Sequence, residues 1–314
     1  MNKPIFLSIV TPTYNEEKTV RECILKVESI MASAKPRINY EHIIIDNYST
    51  DRTVELALEL SKTRHAVVIA RNDKNIGPSK TIYRGLSLTQ GEWVVPMLPA
   101  DLQDPAETIL EFVSSIKEET NVVFGIRENR QEFFLMKLLR STYYRIIRRL
   151  SFSNIPLNSG DFCLIHRTVV DSLIELQDEN PYLRGLIAQA ANSPQSVRYT
   201  WGRRNGGKSK ASPLILAELA ISGLVSTSQI PARIALIIGF AISACSGVVA
   251  FAQALIVLLS DKAATPGIAT IVVAVFFFGG LQLFFTGIIG EYVLSIHRQI
   301  KKSPKVQTRL LNNE

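Results

Sequence analysis

The stretch FLSIVTPTYNEEKTVRECILKVESIM, residues 6–31, decides the fold class. It opens with a run of β-branched and apolar residues, which predicts a strand that is buried on both faces. Apolar residues then recur at helical spacing, at Val20, Ile24, Val27 and Ile30, and predict a helix packed against that strand. A buried strand followed by an amphipathic helix is the repeating unit of α/β proteins.

The same alternation of strand and helix continues to about residue 130. Continuous apolar strands separated by helices indicate a mainly parallel sheet with helices on both faces. Ligands of such folds bind beyond the carboxyl ends of the strands, and polar clusters follow each predicted strand here. We therefore expect the functional site at that edge. Further strands are predicted at 40–47, 66–72, 92–98 and 121–127, helices at 52–63, 79–89, 105–119 and 133–152, and a strand and helix at 158–176.

Two long segments without charged residues, 234–259 and 263–290, lie near the end of the chain. Each exceeds the ~20 residues that cross a bilayer, so we expect two transmembrane helices; a pair of buried core helices is the less favoured alternative. Their link is too short for a domain, so the pair forms a hairpin. Basic residues flank both outer ends, and the positive-inside rule places both termini in the cytoplasm. These residues are Arg233, Arg298, Lys301, Lys302 and Lys305.

The amino-terminal residues and the cysteines argue against an exported, disulfide-linked domain. The first residues lack the apolar core and small-residue cleavage site of a signal peptide. We therefore expect the domain that precedes the two apolar segments not to be exported. Cys23, Cys163 and Cys245 show neither pairing nor CxxC spacing, and we expect them to be small buried side chains rather than disulfide or zinc ligands.

An acidic loop, residues 99–104, follows the fourth predicted strand. Asp101 and Gln103 alternate along an extended segment in this interpretation, so both side chains can point the same way. Carboxylate and amide oxygens are ligands that Mg²⁺ or Mn²⁺ accepts. The alternative is that Asp104 and Pro105 begin a helix and that Asp101 is a solvated turn residue. Spacing alone does not choose between the two.

A second polar cluster follows the first and second predicted strands. Asp46 could accept the N–H of a uracil ring, and Tyr14 could stack on that ring. Acid-rich turns after strands are common, so on the residues alone a purely structural role for this cluster is the favoured alternative.

Two basic segments predict an anionic partner. The predicted helix 133–152 carries Lys137 and Arg140 on one face among apolar residues, and Arg127 precedes it. A lipid phosphate or an anionic leaflet fits this mixture better than nucleic acid, for which no recognisable fold is present. The loop RRNGGKSK, residues 203–210, could wrap a diphosphate, although it lacks P-loop spacing; a membrane-proximal linker is the alternative.

Taken in order, the motifs of the chain resemble those of family-two glycosyltransferases with the GT-A fold. SIVTPTYNEE resembles the family's first strand, DNYSTDRT its DDGSxDxT motif, and PADLQDPAE its DADLQDPPE motif. NIGPSKTIYRG, SGDFCLIHR and RNGGKSK resemble its N-x-G helix start, its GDFRLxxR motif and its R-x-x-G-x-S-K motif. The resemblance covers nearly the whole chain and is strongest to the polyprenyl-phosphate sugar transferases. The QxxRW motif of processive polysaccharide synthases is absent from the sequence.

The resemblance implies a role for each candidate residue. Asp101 and Gln103 would hold Mg²⁺ or Mn²⁺ on the donor diphosphate, and Asp101 with Arg127 would act in catalysis. The remaining implied roles are nucleotide binding by Pro12, Tyr14, Glu16 and Asp46, diphosphate binding by Arg204 and Lys210, and acceptor-phosphate binding by Arg127, Lys137 and Arg140.

The implied protein is a membrane-bound, inverting glycosyltransferase. It would move a sugar from a nucleotide-diphosphate sugar, a UDP-sugar, to polyprenyl (undecaprenyl) phosphate for cell-envelope glycan modification. Its partners would be the donor, the lipid and the inner membrane, with no nucleic acid, and relatives with a membrane hairpin imply a homo-oligomer. The expected organisation is a cytoplasmic GT-A domain at 1–210, a juxtamembrane amphipathic helix at 211–232, two transmembrane helices at 233–292 and a basic cytoplasmic tail at 293–314.

Three departures from the family motifs remove a charged side chain. Asn47 replaces the second Asp of DDGS, Pro99 the first Asp of DADLQ, and Cys163 the Arg of GDFRL. Losing a carboxylate predicts a weaker metal site that Asp101, Gln103 and the donor phosphates complete. The departures also motivate an alternative, a catalytically silent relative that binds nucleotide sugar or polyprenyl phosphate or scaffolds glycan assembly.

Overall fold

The chain divides into two compact units in a computed structural model, Met1–Ala211 with Lys302–Glu314, and Ser212–Lys301. The structure describes residues 5–34, 37–128, 159–176, 182–202, 268–300 and 307–312, and the single positions 156, 237, 239, 241, 242 and 248.

The first unit alternates strands and helices, as the sequence predicts. Its strands are β1 Phe6–Thr13, β2 Asn39–Asp46, β3 Val67–Asn72, β4 Trp93–Val95, β5 Val122–Glu128, β6 Ser159–His166, β7 Gln195–Thr200 and β8 Thr308–Leu310. Its helices are α1 Val20–Ser33, α2 Thr53–Ser61, α3 Pro78–Leu86, α4 Thr108–Ser114, α5 Arg167–Glu175 and α6 Leu183–Ala190.

The eight strands form one sheet in the order β7-β5-β6-β4-β1-β2-β3-β8. The pairs β1–β2, β1–β4, β2–β3 and β5–β7 are parallel, whereas β6 is antiparallel to both β4 and β5, and β8 is antiparallel to β3. The predicted mainly parallel sheet is therefore confirmed. Strands β2 and β3 lie on one side of β1 and β4 lies on the other, so the direction of winding changes at β1. Open α/β sheets bind ligands at such a switch point.

Both faces of the central strand are buried, which explains its apolar sequence. Leu7 and Ile9 of β1 pack in one core cluster with residues of α1 and α4, including Phe112. Val10, which points to the other face, packs with Ile82 of α3. Helices thus cover both faces of the sheet, as the continuous apolar runs predict.

Strand β4 ends earlier and helix α4 begins later than the sequence predicts. The strand predicted at 92–98 is paired only over Trp93–Val95, because Pro96 has no N–H to give to the ladder. The helix predicted from Pro105 begins at Thr108. The side chain of Asp104 does not cap this helix; it bonds instead to Arg127.

The second unit contains the helix α7, Ile268–Ile300, of 33 residues. Of the helices in the described part of the chain, α7 alone is long and apolar enough to cross a membrane, judged by length and composition over Phe277–Leu294. The predicted first span, 234–259, and the predicted juxtamembrane helix, 211–232, lie almost entirely outside the described residues. The predicted hairpin therefore stays a prediction.

The predicted carboxyl-terminal tail, 293–314, begins inside α7 and includes the strand β8, which pairs with β3 at the edge of the sheet. Strand β8 is not among the strands predicted from the sequence. It has only three residues, too few for a periodic pattern to be visible.

Candidate active site

The loops that follow β1 and β2 are joined by hydrogen bonds at the carboxyl edge of the sheet. Asn15 Oδ1 accepts from the backbone N–H of Thr50 at 2.9 Å, and the backbone N–H of Asn15 donates to Ser49 Oγ at 2.9 Å. The backbone N–H of Glu16 donates to Thr53 Oγ1 at 2.8 Å. These bonds hold the two loops as one surface beside the switch point.

Asp46, at the end of β2, is 1% exposed, and both of its carboxylate oxygens have partners. Oδ1 accepts from the hydroxyls of Ser49 and Thr13, and Oδ2 accepts from the backbone N–H of Ser49 at 2.9 Å. Oδ2 also lies 3.3 Å from Nε of Arg71. Asp46 therefore organises the turn that follows it, and its direct contact with a nucleobase stays a prediction.

That turn presents an exposed aromatic residue, Tyr48, which the sequence analysis did not select. Tyr48 is 46% exposed and has a φ of 69°, a left-handed conformation that costs a non-glycine residue about 1 kcal/mol. The guanidinium of Arg71 lies 5.4 Å from its ring centroid and donates to the backbone oxygen of Ser49 at 3.0 Å. Tyr14, 44% exposed, follows the neighbouring strand β1. This edge therefore offers two aromatic faces and a cation to a planar ligand.

Two further predicted nucleotide residues lie in the same region. Pro12 is half-buried within β1. Glu16 is half-buried, and its Oε2 accepts from Thr19 Oγ1 at 2.8 Å near the start of α1. The structure thus brings Pro12, Tyr14, Glu16 and Asp46 to the ends of two adjacent strands, as predicted for them.

The acidic loop after β4 is a tight turn, not the extended segment that the sequence analysis predicted. The backbone N–H of Leu102 donates to the carbonyl of Pro99 at 3.0 Å, and Leu102 has a φ of 52°. Asp101 Oδ1 accepts from the backbone N–H of Gln103 at 3.2 Å. An aspartate that bonds to the backbone two residues on stabilises a turn, which explains why this segment departs from extended geometry.

Asp101 and Gln103 fit a metal ion that arrives with a phosphate ligand. Within the described ranges, no three His, Cys, Asp or Glu side chains converge as a metal site. Both Asp101 and Gln103 are half-exposed on the turn. One carboxylate and one amide suit Mg²⁺, which is commonly held by one or two carboxylates together with substrate phosphates. They do not suit an ion held by protein ligands alone.

Arg127, at the end of β5, forms a buried bidentate ion pair with Asp104. Its Nη2 donates to Oδ2 at 2.8 Å and its Nε donates to Oδ1 at 3.1 Å; Arg127 is 16% and Asp104 1% exposed by side chain. Burial, the largest single influence, acts to lower the pKa of Arg127, but the electrostatic attraction of Asp104 and Tyr199 and the hydrogen bonds to both together raise it. The guanidinium therefore stays charged and is largely committed to Asp104. Its predicted roles in catalysis and in binding the acceptor phosphate stay predictions.

Tyr199 and Trp201, at the end of β7, complete the surroundings of this ion pair. The hydroxyl of Tyr199 donates to Asp104 Oδ1 at 2.6 Å, and the ring of Trp201 lies 5.1 Å from the guanidinium carbon of Arg127. Burial and then the charge of Asp104 raise the pKa of Tyr199, so it remains a donor. The backbone N–H of Gly202 donates to the carbonyl of Gln103 at 2.8 Å. The cluster thus connects the acidic loop to the chain that enters the basic loop 203–210.

Four predicted site residues lie outside the described residues. Lys137 and Arg140 belong to the predicted basic helix, and Arg204 and Lys210 to the basic loop. Their roles stay predictions.

Comparison with known proteins identifies the family. The model for glycosyl transferase family 2 matches residues 8–174, more than half of the chain. The uncharacterized glycosyltransferase YkcC of Bacillus subtilis is 32% identical over 97% of this chain and 93% of its own length. The chain belongs to glycosyl transferase family 2. The SfII prophage-derived bactoprenol glucosyl transferase of Shigella flexneri is another relative of this glycosyltransferase, 28% identical over 95% of this chain and 96% of its own.

A solved structure confirms the fold of this family-2 glycosyltransferase. The mannosyltransferase PcManGT from Pyrobaculum calidifontis, solved in complex with GDP-Man and Mn²⁺, matches over 95% of this chain and 88% of that chain. The TM-score is 0.50 at 13% identity. The first unit therefore has the GT-A fold, as the resemblance implied.

The family departure at Asn47 has a structural explanation. Asn47 Oδ1 accepts from the backbone N–H of Ile76 at 2.9 Å, and Nδ2 donates to Asn75 Oδ1 at 2.9 Å. Asn75 Oδ1 also accepts from the backbone N–H of Gly77 at 3.0 Å. Because this oxygen acts as an acceptor, the side chain at position 47 has to offer it a donor. An ionised aspartate has no donor to offer. The asparagine therefore matches its neighbours in this glycosyltransferase.

The family departure at Cys163 lies in the core of the sheet. Cys163 is buried in β6 and belongs to the cluster that contains Ile165 and Phe124. Cys23 lies on the buried face of α1, and both thiols are free. Two of the three cysteines are therefore small buried side chains, as predicted; Cys245 lies outside the described residues.

Proposed function

We propose that this family-2 glycosyltransferase moves a sugar from a UDP-sugar to polyprenyl phosphate, undecaprenyl phosphate in a bacterium, for cell-envelope glycan modification. The observation that carries the proposal is the likeness to the bactoprenol glucosyl transferase of Shigella flexneri, which extends over 95% of the chain. That extent includes the long apolar segments as well as the sugar-transferase domain, so the likeness reaches the part of the chain that would meet a lipid.

The donor would bind at the carboxyl edge of β1 to β4. The exposed rings of Tyr14 and Tyr48 offer faces for the base, and the guanidinium of Arg71 supplies polar contacts beside them. Asp46 would hold Arg71 and the turn in place through its buried carboxylate. Recognition of a UDP-sugar in particular is part of the proposal.

The diphosphate of the donor would lie over the acidic turn. Asp101 and Gln103 would hold Mg²⁺ or Mn²⁺, weakly because only one carboxylate is available, and Arg204 and Lys210 would bind the diphosphate as well. The metal, when bound, supplies positive charge that stabilises the departing nucleoside diphosphate. The residues of the chain would orient that diphosphate, and the hydrogen bonds from Gln103 N–H to Asp101 Oδ1 and from Gly202 N–H to Gln103 O stabilise the turn.

The acceptor would be a phosphate monoester, which is already ionised near neutral pH. It therefore requires positioning beside the anomeric carbon rather than a strong general base. Lys137 and Arg140 would bind this phosphate, with Arg127 beside them. A phosphate oxygen would attack the anomeric carbon as the bond to the nucleoside diphosphate breaks, and in-line attack inverts that centre.

The membrane would hold the lipid acceptor near the enzyme. Helix α7, with 33 residues, is about 50 Å long, which exceeds a hydrocarbon core of about 30 Å. Its apolar side chains, such as Ile271, Phe277 and Leu283, are exposed in the structure. A helix that exposes apolar side chains without a protein partner suits lipid. We propose that it and segment 234–259 span the inner membrane, with the GT-A domain in the cytoplasm, in a homo-oligomer.

A transfer assay tests this function. The full-length protein in detergent would receive undecaprenyl phosphate and, separately, radiolabelled UDP- and GDP-sugars, with Mg²⁺, Mn²⁺ or EDTA. We expect labelled lipid from a UDP-sugar, its loss with EDTA, and its loss in Asp101→Ala. Label from a GDP-sugar would correct the donor, whereas donor binding without label in lipid from any donor would favour the catalytically silent relative.

A further inference from the structure

The carboxyl-terminal strand β8 is attached to the edge strand β3 by side chains as well as by the ladder. Asn312 Oδ1 accepts from the backbone N–H of Ile69 at 2.6 Å, and Asn312 Nδ2 donates to the carbonyl of Val67 at 2.6 Å. The backbone N–H of Leu311 donates to the carbonyl of Ile69 at 2.8 Å, and Leu311 packs against the cluster that contains Ile44. These contacts fix the position of a short strand that three ladder residues alone would hold weakly.

The other end of β8 lies at the carboxyl end of β3, where the donor site begins. The backbone N–H of Asp73 donates to the carbonyl of Gln307 at 3.1 Å, and the backbone N–H of Gln307 donates to Asp73 Oδ2 at 3.3 Å. Next along the strand, the hydroxyl of Thr308 donates to Asn72 Oδ1 at 2.9 Å. Asn72 is 1% exposed, so this bond gives the oxygen of a buried side-chain amide its hydrogen-bond donor.

The amide nitrogen of Asn72 is hydrogen-bonded to two residues that contact the loop before α3. Its Nδ2 lies 3.2 Å from Thr81 Oγ1 and 3.5 Å from Asn47 Oδ1. Thr81 Oγ1 in turn donates to the carbonyl of Gly77 at 2.8 Å, and Asn47 binds the backbone N–H of Ile76. Asn72 is thus connected through Thr81 and through Asn47 to the loop 75–77, which follows β3 at the ligand edge of the sheet.

We infer that β8 is a positioning part of the donor site, with Thr308 holding the loop 75–77 through Asn72. The inference rests on the proposed function, since it concerns the same donor. Thr308 acts through Asn72 and is not placed against the ligand. Its hydroxyl donates to the buried oxygen of the Asn72 amide, whose Nδ2 is bonded to Thr81 and Asn47, and so anchors the amide that supports the loop. Without that bond the buried Oδ1 of Asn72 loses its hydroxyl partner, and the amide that supports the loop through Thr81 and Asn47 is less firmly held.

The distance along the chain gives this contact its significance. Thr308 lies eight residues beyond the end of α7, whereas Asn72 lies in the first third of the chain. The segment that follows the proposed membrane helix therefore helps to hold the loop 75–77 in place at the nucleotide end of the site. A strand that only covered a sheet edge would need the backbone ladder and no particular side chain at position 308.

Substitutions at position 308 separate these two roles. Thr308→Val removes the hydroxyl and keeps the shape and the ladder, Thr308→Ser keeps the hydroxyl, and Gln307→Ala changes an exposed neighbour. Deletion of 307–314 removes the strand, and a synthetic peptide of 305–314 would be added back to the deleted protein. Each full-length or deleted protein would be titrated with UDP and Mg²⁺ by calorimetry in detergent.

We expect Thr308→Val to weaken UDP binding about three- to tenfold, the loss from one hydrogen bond. Thr308→Ser should recover most of the affinity, Gln307→Ala should match the natural protein, and the peptide should partly restore the deleted form. Wild-type affinity in Thr308→Val would overturn the inference, even if the deletion weakened binding, because the effect would then belong to the strand and not to the hydroxyl.

Hydrogen exchange without nucleotide gives a second result that does not depend on the donor. The amides of Ile76 and Gly77 should exchange faster in Thr308→Val than in Gln307→Ala, while the amides of β1 are unchanged. Equal exchange would contradict the inference. If the natural protein bound no nucleotide, the proposed function would fail, and the exchange rates would still decide whether β8 holds the loop.

Discussion

The guanidinium of Arg127 and the carboxylate of Asp104 face each other in a buried bidentate pair, at 2.8 and 3.1 Å. The pair joins the end of β5 to the acidic turn that carries Asp101 and Gln103. Arg127 therefore positions the turn, and its contact with a phosphate stays a prediction. A planar guanidinium suits this task because its two parallel hydrogen bonds fix the orientation of the carboxylate.

Breaking this pair should destabilise the GT-A domain strongly. We expect Asp104→Asn to lower the free energy of unfolding by about 3–5 kcal/mol, because the charge of Arg127 then stays buried without its partner. Glu107→Gln is the matched control, since it removes an exposed ion pair with Lys26 that is worth about 0–1 kcal/mol. Denaturant unfolding of the two variants measures the difference, and equal stabilities would contradict the role of the pair.

The missing carboxylate at position 99 should affect metal affinity rather than the existence of activity. Pro99→Asp adds an acid to the turn and should lower the metal concentration for half-maximal transfer about tenfold, with a much smaller change in kcat. Pro99→Asn controls for the loss of the proline ring. Activity that appears only in Pro99→Asp would show that the natural site is silent.

Restoring the family's aspartate at position 47 should impair the donor site. In Asn47→Asp a carboxylate oxygen would face Asn75 Oδ1, which already accepts from Gly77. Position 47 is 5% exposed, so the new carboxylate would be a buried acceptor without a donor on that side, which costs about 1–3 kcal/mol, and the Kd for UDP should rise about five- to 150-fold. Asn39→Asp, the same change at an exposed position of β2, should leave the Kd unchanged. Equal affinities of the two variants would contradict the explanation given for Asn47.

The buried imidazole of His42 should make stability depend on pH. Burial lowers its pKa from 6.5 to about 3, and its Nε2 lies 2.8 Å from Thr11 Oγ1. The unfolded chain takes up a proton below about pH 6.5 and the folded chain does not, so the free energy of unfolding falls as pH decreases from 6.5 toward 3. The slope approaches about 1.4 kcal/mol per pH unit.

Replacing His42 should remove this part of the pH dependence. His42→Gln should show a flatter fall in thermal stability between pH 6.5 and 4 than the natural protein, whereas His65→Gln, at an exposed position, should keep the natural slope. Parallel pH profiles for the His42 variant and the natural protein would show that this histidine is not the group responsible.

Local patterns in the sequence were sufficient to predict most of the fold. Val20, Ile24, Val27 and Ile30 recur at helical spacing because they share the buried face of α1. The strand bounds of β1, β2, β3 and β5 agree with the sequence within one residue, since a strand buried on both faces has an unbroken apolar run. The short β4 departs because Pro96 ends its ladder.

The site was less predictable because its contacts join residues far apart in sequence. The turn at Asp101 was predicted to be extended, since nothing in its spacing shows that its own carboxylate closes it. The ion pair of Arg127 with Asp104, and the placement of Arg71 over Tyr48, depend on which strands are neighbours. Tyr48 stands where the family motif has glycine. This difference was the one signal in the sequence for an exposed ring at that position.

The central claim is that sugar passes from a nucleotide to polyprenyl phosphate with inversion. The most direct measurement is the structure of the product formed by the full-length protein from undecaprenyl phosphate and an α-linked UDP-sugar, by mass spectrometry and NMR of the extracted lipid. We predict a β-linked polyprenyl-phosphate sugar. An α-linked product would contradict the mechanism, and nucleotide binding without any lipid-linked sugar from UDP- or GDP-donors would contradict the function.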